Sequence, residues 1–302
     1  MSVDATDTSV ADGCPIAVDA HPAWVEARQM VNDAALVGLR HHLRRYAHAA
    51  RPTARQWNGV LLLKWRMAQG ALIEVASLLF QWPGARFPCL DIETLSIDAG
   101  QRVFLFGPSG SGKSTLLALL AGVVTAQQGS VRVLGTELST LKGRDRFRVQ
   151  HVGFIFQQFN LVPYLSVLRN VLLPCQFSAT RAQRATEAHG SPVDAAIHLL
   201  DAMGLGAVLR ERKATELSVG QQQRVAAARA LIGAPELIVA DEPTSSLDAD
   251  ARQAFLELLE RQCDRFGSTL LFVSHDRQLA ATFDRQINLP AINRVVPDGS
   301  TG

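Results

Sequence analysis

The clearest chemical signal lies between residues 103 and 115, where a short apolar run is followed by a glycine-rich turn. The turn matches the pattern G-x-x-x-x-G-K-[ST]. Its residues are Gly107, Pro108, Ser109, Gly110, Ser111, Gly112, Lys113, Ser114 and Thr115. Glycines let the backbone direct successive N–H groups at phosphate oxygens. Lys113 adds charge for the β- and γ-phosphates, and Ser114 offers a hydroxyl to Mg²⁺. The helix that begins here points its positive end at the same anion, so the segment predicts a nucleoside triphosphate site.

Polar residues follow three other apolar runs. Gln157 comes after residues 152–156, Asp241 and Glu242 after 237–240, and His275 shortly after 270–273. If these runs are parallel strands, their carboxyl ends meet at one edge of the sheet, where ligands of such sheets bind. Asp241 would then hold Mg²⁺ through water, and Glu242 would accept a proton from, or polarise, the attacking water.

The order of apolar runs and periodic segments predicts an α/β fold with a mainly parallel sheet. Strands are expected at 71–82, 90–97, 103–106, 131–134, 152–156, 237–240 and 270–273, and helices at 113–121, 194–203, 217–232 and 250–266. Residues 160–215 are interpreted as mostly helical, and the polar stretch 178–190 as a surface loop.

Five motifs in this order resemble the nucleotide-binding subunit of ATP-binding-cassette (ABC) transporters over about residues 70–290. They are the phosphate loop, Gln157, Leu217–Gln221 (Leu-Ser-Val-Gly-Gln), Leu237–Asp248 and His275. The segment 156–163 is similar to the branch that contains lipoprotein-releasing, macrolide-exporting and cell-division ATPases. The resemblance implies a P-loop NTPase core, an antiparallel β subdomain and an inserted α-helical subdomain at about 160–235.

The resemblance also implies roles for single residues. Gln157 would contact Mg²⁺ and the attacking water, with Gln158 as the rival assignment. His275 would bind the γ-phosphate and hold the water and Glu242. Trp82 would stack on adenine, although Phe80 and Phe87 lie nearby.

Other residues would act across a head-to-tail homodimer. Ser218, Gly220 and Gln221 would close over ATP bound by a second copy, and Asp248 would bridge the two subunits. The family usually has Gly where this chain has Val219, which puts the contact of that one position in doubt. Arg224 and Arg229 are expected to pair within the helical subdomain.

The implied function is an ATP-binding and hydrolysing subunit that uses ATP and Mg²⁺ to drive a separate membrane permease with few transmembrane helices. It would lie at the cytoplasmic face of the membrane. The alternative is a force-transmitting ABC ATPase that regulates a cell-envelope process without moving a substrate. A DNA-repair or translation ABC protein is disfavoured, because the chain has a single phosphate loop, no heptad run and a net charge of only +2.

Composition sets the remaining bounds. The 302 residues are 47% hydrophobic, enough for a large core, and no apolar stretch reaches the ~18 residues of a membrane span. Four scattered cysteines suggest buried thiols in a reducing compartment. Residues 1–66 form an N-terminal extension before an ABC domain at 67–302. Three interpretations of it stay open: a basic membrane- or partner-binding arm, a tail without a specific role, and a mis-assigned start before Met67.

Overall fold

Two β-sheets and a set of helices make up residues 71–295, the part of the chain that the computed structural model describes. One sheet is antiparallel and has the strand order β2-β1-β4-β5. Its strands are β1 (Ala71–Phe80), β2 (Leu90–Asp98), β4 (Gln128–Val133) and β5 (Thr136–Glu137). This sheet is the antiparallel β subdomain that the family resemblance implied.

The second sheet has five strands in the order β6-β7-β8-β3-β9, and every pair in it is parallel. Its strands are β3 (Arg102–Phe106), β6 (Val152–Ile155), β7 (Leu237–Asp241), β8 (Thr269–Val273) and β9 (Arg285–Asn288). All residues of β7 and β8 are buried, as expected for central strands that are covered on both faces. The predicted α/β fold with a mainly parallel sheet is confirmed.

Alternation along the strands divides the core into two layers. Phe104 of β3 faces a cluster that includes the helices after residue 160. Its neighbours Val103 and Leu105 face a cluster with the antiparallel sheet and the first helix. The helices are α1 (Lys113–Leu120), α2 (Arg144–His151), α3 (Val167–Phe177), α4 (Ala179–His189), α5 (Pro192–Ala202), α6 (Val219–Leu231), α7 (Ala249–Phe266) and α8 (Leu289–Ile292).

One local prediction is wrong. The polar stretch 178–190, interpreted as a surface loop, is largely helix α4. Ser178 caps this helix by accepting a hydrogen bond from the Arg181 N–H at 3.2 Å. Arg181 is only 1% exposed, so a charged residue supplies much of the buried face, which an apolar pattern cannot reveal.

The helical interpretation of residues 160–215 is otherwise confirmed. Ser191 caps α5, and Pro192 is the first residue of this helix. Within residues 71–295, no helix is long and apolar enough to cross a bilayer. Cys89, Cys175 and Cys263 are buried and unoxidised, and burial raises the pKa of the Cys175 thiol to about 11. The interpretations of residues 1–66 and of Cys14 lie outside the described residues.

Candidate active site

The register of the parallel sheet brings the predicted residues to one edge. Leu105 of β3 and Asp241 of β7 both pair with Val273 of β8, and Ile155 of β6 pairs with Ala240 of β7. The segments that follow these strands therefore start side by side. They carry the phosphate loop, Glu242, His275 and Gln157.

The phosphate loop connects β3 to α1 through two glycines in the left-handed region. Gly110 has φ 77° and Gly112 has φ 95°. A Cβ on Gly112 would lie 2.7 Å from Leu90 Cδ2, so both the backbone angle and the packing require glycine there. The loop curls around Lys113, whose Nζ donates to the carbonyl oxygens of Gly107 at 2.9 Å and Pro108 at 3.0 Å. The third N–H of this ammonium remains for another acceptor.

The loop has the features that a phosphate requires. The Ser111 hydroxyl oxygen is buried, and no group within residues 71–295 forms a hydrogen bond with it. A Cβ on Gly107 would lie 2.8 Å from this oxygen, so the loop closes tightly around it. The first N–H groups of α1 have no acceptor within the helix. Polar donors thus surround a position that a phosphate group would fill.

Thr115 points its hydroxyl into the protein. Its side chain is fully buried, and its Oγ1 accepts hydrogen bonds from Trp82 Nε1 at 3.3 Å and Cys89 Sγ at 3.6 Å. Thr115 therefore remains a predicted nucleotide ligand through its backbone N–H alone. Ser114 is half-buried. Because the Thr115 hydroxyl points inward, Ser114 is the residue of this pair whose hydroxyl could bind Mg²⁺.

The aromatic residues before the loop differ in exposure. Trp82 is 6% exposed and packs edge to face on Phe80, with ring centroids 5.0 Å apart. Phe80 is 2% exposed, whereas Phe87 is 57% exposed. The structure places Trp82 against the start of α1, but without an open ring face. Its stacking on adenine stays a prediction, and Phe87 has the exposed ring.

Glu242 and His275 lie together at the carboxyl end of the sheet. His275 Nδ1 is 3.4 Å from Glu242 Oε2, and the Glu242 side chain is 23% exposed. The Glu242 backbone has φ 44°, and its N–H donates to the Val273 carbonyl at 3.0 Å. The preceding Asp241 is 7% exposed at the end of β7. The carboxylate and the imidazole touch each other, so a single water molecule beside the pair could contact both groups.

Gln157 and Gln158 are both exposed just beyond β6, so the choice between them remains open. The turn that follows is held by Arg229 of α6, which donates to the carbonyl oxygens of Phe159 and Asn160, each at 2.6 Å. Burial lowers the pKa of Arg229 to about 10. Arg229 was expected to pair within the helical subdomain. Its two contacts lie at the start of that subdomain and also position the glutamine segment, which its sequence position could not reveal.

The Leu217–Gln221 segment forms the N-terminus of α6. Ser218 Oγ accepts from the Gln221 N–H, and Gln221 Oε1 accepts from the Ser218 N–H, which completes a capping box. Val219 is 47% exposed. A Cβ on Gly220 would meet nothing within 4 Å. The next helix, α7, begins similarly: Asp248 Oδ1 accepts from the Ala251 N–H at 2.8 Å.

Two further residues were not singled out by the sequence. Gln223 of α6 is 1% exposed and donates to the Pro243 carbonyl at 2.8 Å, so it ties α6 to the segment after Glu242. Arg252 of α7 forms an ion pair with Asp276, the residue after His275. Neither residue belongs to a short motif, so only tertiary contacts reveal them.

The residues predicted to bind a cation offer a hydroxyl, an amide and a carboxylate: Ser114, Gln157 and Asp241. This oxygen-rich but incomplete set is typical of Mg²⁺, which keeps water and phosphate oxygens among its ligands. Over residues 71–295 there is no cluster of three His, Cys, Asp or Glu residues that could hold a metal. The donor set therefore fits Mg²⁺ bound together with a nucleotide.

Comparison with known proteins identifies the family. Residues 90–245 match the family model described as "ABC transporter". The lipoprotein-releasing system ATP-binding protein LolD of Anaeromyxobacter dehalogenans is 44% identical over 214 residues, which cover 70% of this chain and 86% of LolD. The ABC transporter ATP-binding protein YbbA of Escherichia coli is 42% identical, over 65% of this chain and 83% of YbbA.

The macrolide export ATP-binding/permease protein MacB of Rhodopirellula baltica is 39% identical over 67% of this chain but only 29% of MacB. A dimeric, post-hydrolysis structure of the ATP-binding cassette MJ0796 with ADP and Pi has a TM-score of 0.61 at 32% identity. It covers 72% of this chain and 93% of MJ0796. This chain therefore belongs to the ABC transporter family as an ATP-binding subunit, and it is an ATPase.

Proposed function

We propose that the chain works as a head-to-tail homodimer that binds two ATP molecules with Mg²⁺ and drives a separate permease from the cytoplasmic face of a membrane. One observation supports this proposal most directly. The parallel sheet places the phosphate loop, Asp241, Glu242 and His275 side by side at the carboxyl ends of its strands. The relatives named for lipoprotein release and macrolide export favour transport over the purely force-transmitting alternative.

Each residue has a step to perform. Lys113 and the N-terminus of α1 hold the phosphates. Ser114, Gln157 and Asp241 would hold Mg²⁺, which would neutralise charge on the phosphates. Glu242 polarises the attacking water as general base. His275 orients this water through its contact with Glu242 and donates to the γ-phosphate. Trp82 remains the proposed adenine contact.

The second copy completes the site. Within the described residues, the side chains of Ser218 and Gln221 bond only inside their own cap, while Gly220 opens onto free space. A helix N-terminus with an accessible N–H is suited to an anion. The dimeric MJ0796 structures support a second copy as its source. Asp248 lies exposed at the start of α7, where it would bridge the two subunits.

An exposed surface beyond Gln157 suits the permease. The Val167 and Leu168 N–H groups donate to the Arg212 and Arg210 carbonyls, both at 2.9 Å, which joins segments 163–169 and 206–213. This surface exposes Tyr164 by 63% and Val208 by 78%. Its exposed charged side chains are Arg169, Glu211, Arg212 and Lys213, which are mostly basic. We assign it to a cytoplasmic permease segment with apolar and acidic side chains.

The substitution Glu242→Gln tests the proposal. It removes the base but keeps the size and polarity of the side chain, so we expect ATP turnover to fall at least ~100-fold, the order expected of a general base. ATP should still bind and should convert monomers to dimers in analytical ultracentrifugation. Glu257→Gln, an exposed acid on α7, is the matched control and should hydrolyse ATP normally.

Normal turnover by the Glu242→Gln variant would mean that Glu242 is not the general base. Loss of turnover without an ATP-dependent dimer would refute the dimeric site.

The Glu242→Gln variant, trapped as an ATP-bound dimer, also tests whether the chain binds a permease. Incubated with ATP and detergent-solubilised native membranes, it should retain a permease with few transmembrane helices, identified by mass spectrometry. Recovery of ribosomal or DNA-repair proteins instead would contradict a transport role.

A further inference from the structure

Arg252 connects the two loops that carry Asp248 and His275. It lies at the end of the first turn of α7, where its Nη2 donates to the Leu247 carbonyl at 3.0 Å. Its Nη1 forms an ion pair with the Asp276 carboxylate. Leu247 immediately precedes Asp248, and Asp276 immediately follows His275. One guanidinium group therefore holds a neighbour of each proposed site residue.

Asp276 is itself held in a fixed orientation. Its Oδ1 accepts from the Gln278 N–H at 3.0 Å, and its own N–H donates to Ser274 Oγ at 3.1 Å. The hydrogen bond from Gln278 and the ion pair with Arg252 keep the pKa of Asp276 below its ordinary value, although burial opposes them. Asp276 thus remains a carboxylate at neutral pH and can keep this contact with Arg252.

The same loop is attached to the strand that carries the phosphate loop. The Ser274 N–H donates to the Leu105 carbonyl at 3.3 Å. The Arg277 guanidinium lies 4.3 Å from the centroid of the Phe106 ring, a cation–π geometry, and Phe106 precedes Gly107. His275 therefore lies in a segment fixed to β3 on one side and to α7 through Arg252 on the other.

We propose that Arg252 is a positioning residue that holds His275 at Glu242 and links its placement to the Asp248 loop. The inference rests on the proposed roles of His275, Glu242 and Asp248. The Arg252 and Asp276 side chains are only 25% and 18% exposed, so solvent competes weakly for their contact. Among residues 71–295 the buried Arg252 Nε has no partner, so the two Nη groups set the orientation of the guanidinium.

Geometry explains why arginine is required. The planar guanidinium contacts a carbonyl and a carboxylate at once, whereas a lysine ammonium is a point charge on a flexible stem. Lysine at this position would keep the attraction to Asp276 but lose the fixed link to Leu247. Lysine should therefore restore part of the function that an uncharged side chain loses.

The test is steady-state ATP hydrolysis by Arg252→Gln, Arg252→Lys, Asp276→Asn and the double variant Arg252→Gln/Asp276→Asn of the full chain. We expect kcat to fall about tenfold in Arg252→Gln and in Asp276→Asn, which equals ~1.4 kcal/mol. KM for ATP should stay within about twofold of the unmodified chain, because the phosphate loop is untouched. The double variant should be no slower than the slower single variant, and Arg252→Lys should be intermediate.

Arg261→Gln is the matched control, since Arg261 lies on the same helix, has a 64% exposed side chain and approaches Glu257 at 4.0 Å. It should leave kcat and KM unchanged. An unchanged kcat in Arg252→Gln, or losses that multiply in the double variant, would overturn the inference. So would a fall in kcat that only follows a fall in melting temperature. If Glu242→Gln abolishes turnover and traps the dimer, these outcomes for the Arg252 variants reject only the positioning role of Arg252. If Glu242→Gln turns over normally, the proposed site fails first.

Discussion

Glu242 adopts a backbone conformation that is uncommon for a residue with a side chain. Its φ of 44° lies in the left-handed region, which costs about 1–2 kcal/mol for a residue other than glycine. The hydrogen bond from its N–H to Val273 extends the pairing of β7 with β8 by one residue and offsets part of this cost. The turn directs the Glu242 carboxylate toward His275. The strained backbone conformation therefore orients the side chain that we propose as the general base.

Gly220 offers a direct test of the dimeric site. In one copy a Cβ there meets nothing within 4 Å, and alanine favours helices more than glycine by ~1 kcal/mol. We expect Gly220→Ala to fold with an unchanged or higher melting temperature. ATP hydrolysis should nevertheless fall at least ~10-fold, because the added methyl would occupy the space of the second copy's nucleotide.

The control is Gly206→Ala, since a Cβ on Gly206 also meets nothing within 4 Å. It should change neither stability nor the hydrolysis rate of the isolated subunit. Full activity in Gly220→Ala would mean that the N-terminus of α6 does not approach a nucleotide.

At the scale of elements, helix α4 depends on one buried arginine. Arg181 donates to the carbonyls of Val152 at 2.8 Å, Ala230 at 3.3 Å and Ile232 at 3.3 Å. Burial lowers its pKa to about 10, so it remains charged at neutral pH. It thereby fixes α4 to both β6 and the end of α6, the helix that begins at Ser218.

Arg181→Met should destabilise the protein by about 3 kcal/mol or more. It leaves three buried carbonyl groups without their donor, and each unsatisfied group costs ~1–3 kcal/mol. Urea unfolding followed by circular dichroism measures the change. Gln183→Ala on the exposed face of α4 removes only a contact with Glu187 and should cost less than ~0.5 kcal/mol. Equal stability of the two variants would contradict the role of Arg181.

Arg181 also shows which elements of the fold could be predicted from the sequence and which could not. The strands and the phosphate loop follow from apolar runs and glycine positions, and the ends of these strands carry Glu242 and His275 as predicted. Helix α4 was missed because its buried face contains Arg181, whose partners are carbonyls 29 to 51 positions away in the chain. Arg229 and Arg252 also bind backbone carbonyls, and Arg252 pairs with a carboxylate 24 positions away, so no local residue pattern reveals their roles.

At the scale of the whole molecule, Glu236 joins the helical region to the parallel sheet. It lies just before β7 and contacts His151 Nδ1 at the end of α2, at 3.0 Å, and Arg184 Nη2 of α4, at 2.6 Å. The Glu236 side chain is 17% exposed. Burial alone would raise the pKa of Glu236, but its hydrogen bonds to His151 and Arg184 outweigh burial and lower the pKa from 4.5 to about 2.

This lowered pKa predicts how stability depends on pH. A carboxylate whose pKa is lower in the folded state stabilises that state fully above its unfolded pKa of 4.5, and the contribution disappears as pH falls toward 2. Glu236→Gln should therefore reduce the free energy of unfolding by about 2 kcal/mol at pH 7, a magnitude that allows for the partial exposure of the group. The difference from the unmodified chain should be constant between pH 7 and about 5 and should shrink below about 4.5.

Urea unfolding of both proteins across this pH range measures the difference. Glu257→Gln, an exposed acid on α7, should give no comparable pH-dependent change. A difference between Glu236→Gln and the unmodified chain that persists unchanged at pH 3 would mean that the side chain contributes by packing rather than by charge. The ion pair would then not be what holds α2 and α4 to the sheet. The position of the helical subdomain would depend on other contacts, among them those of Arg181, Gln223 and Arg229.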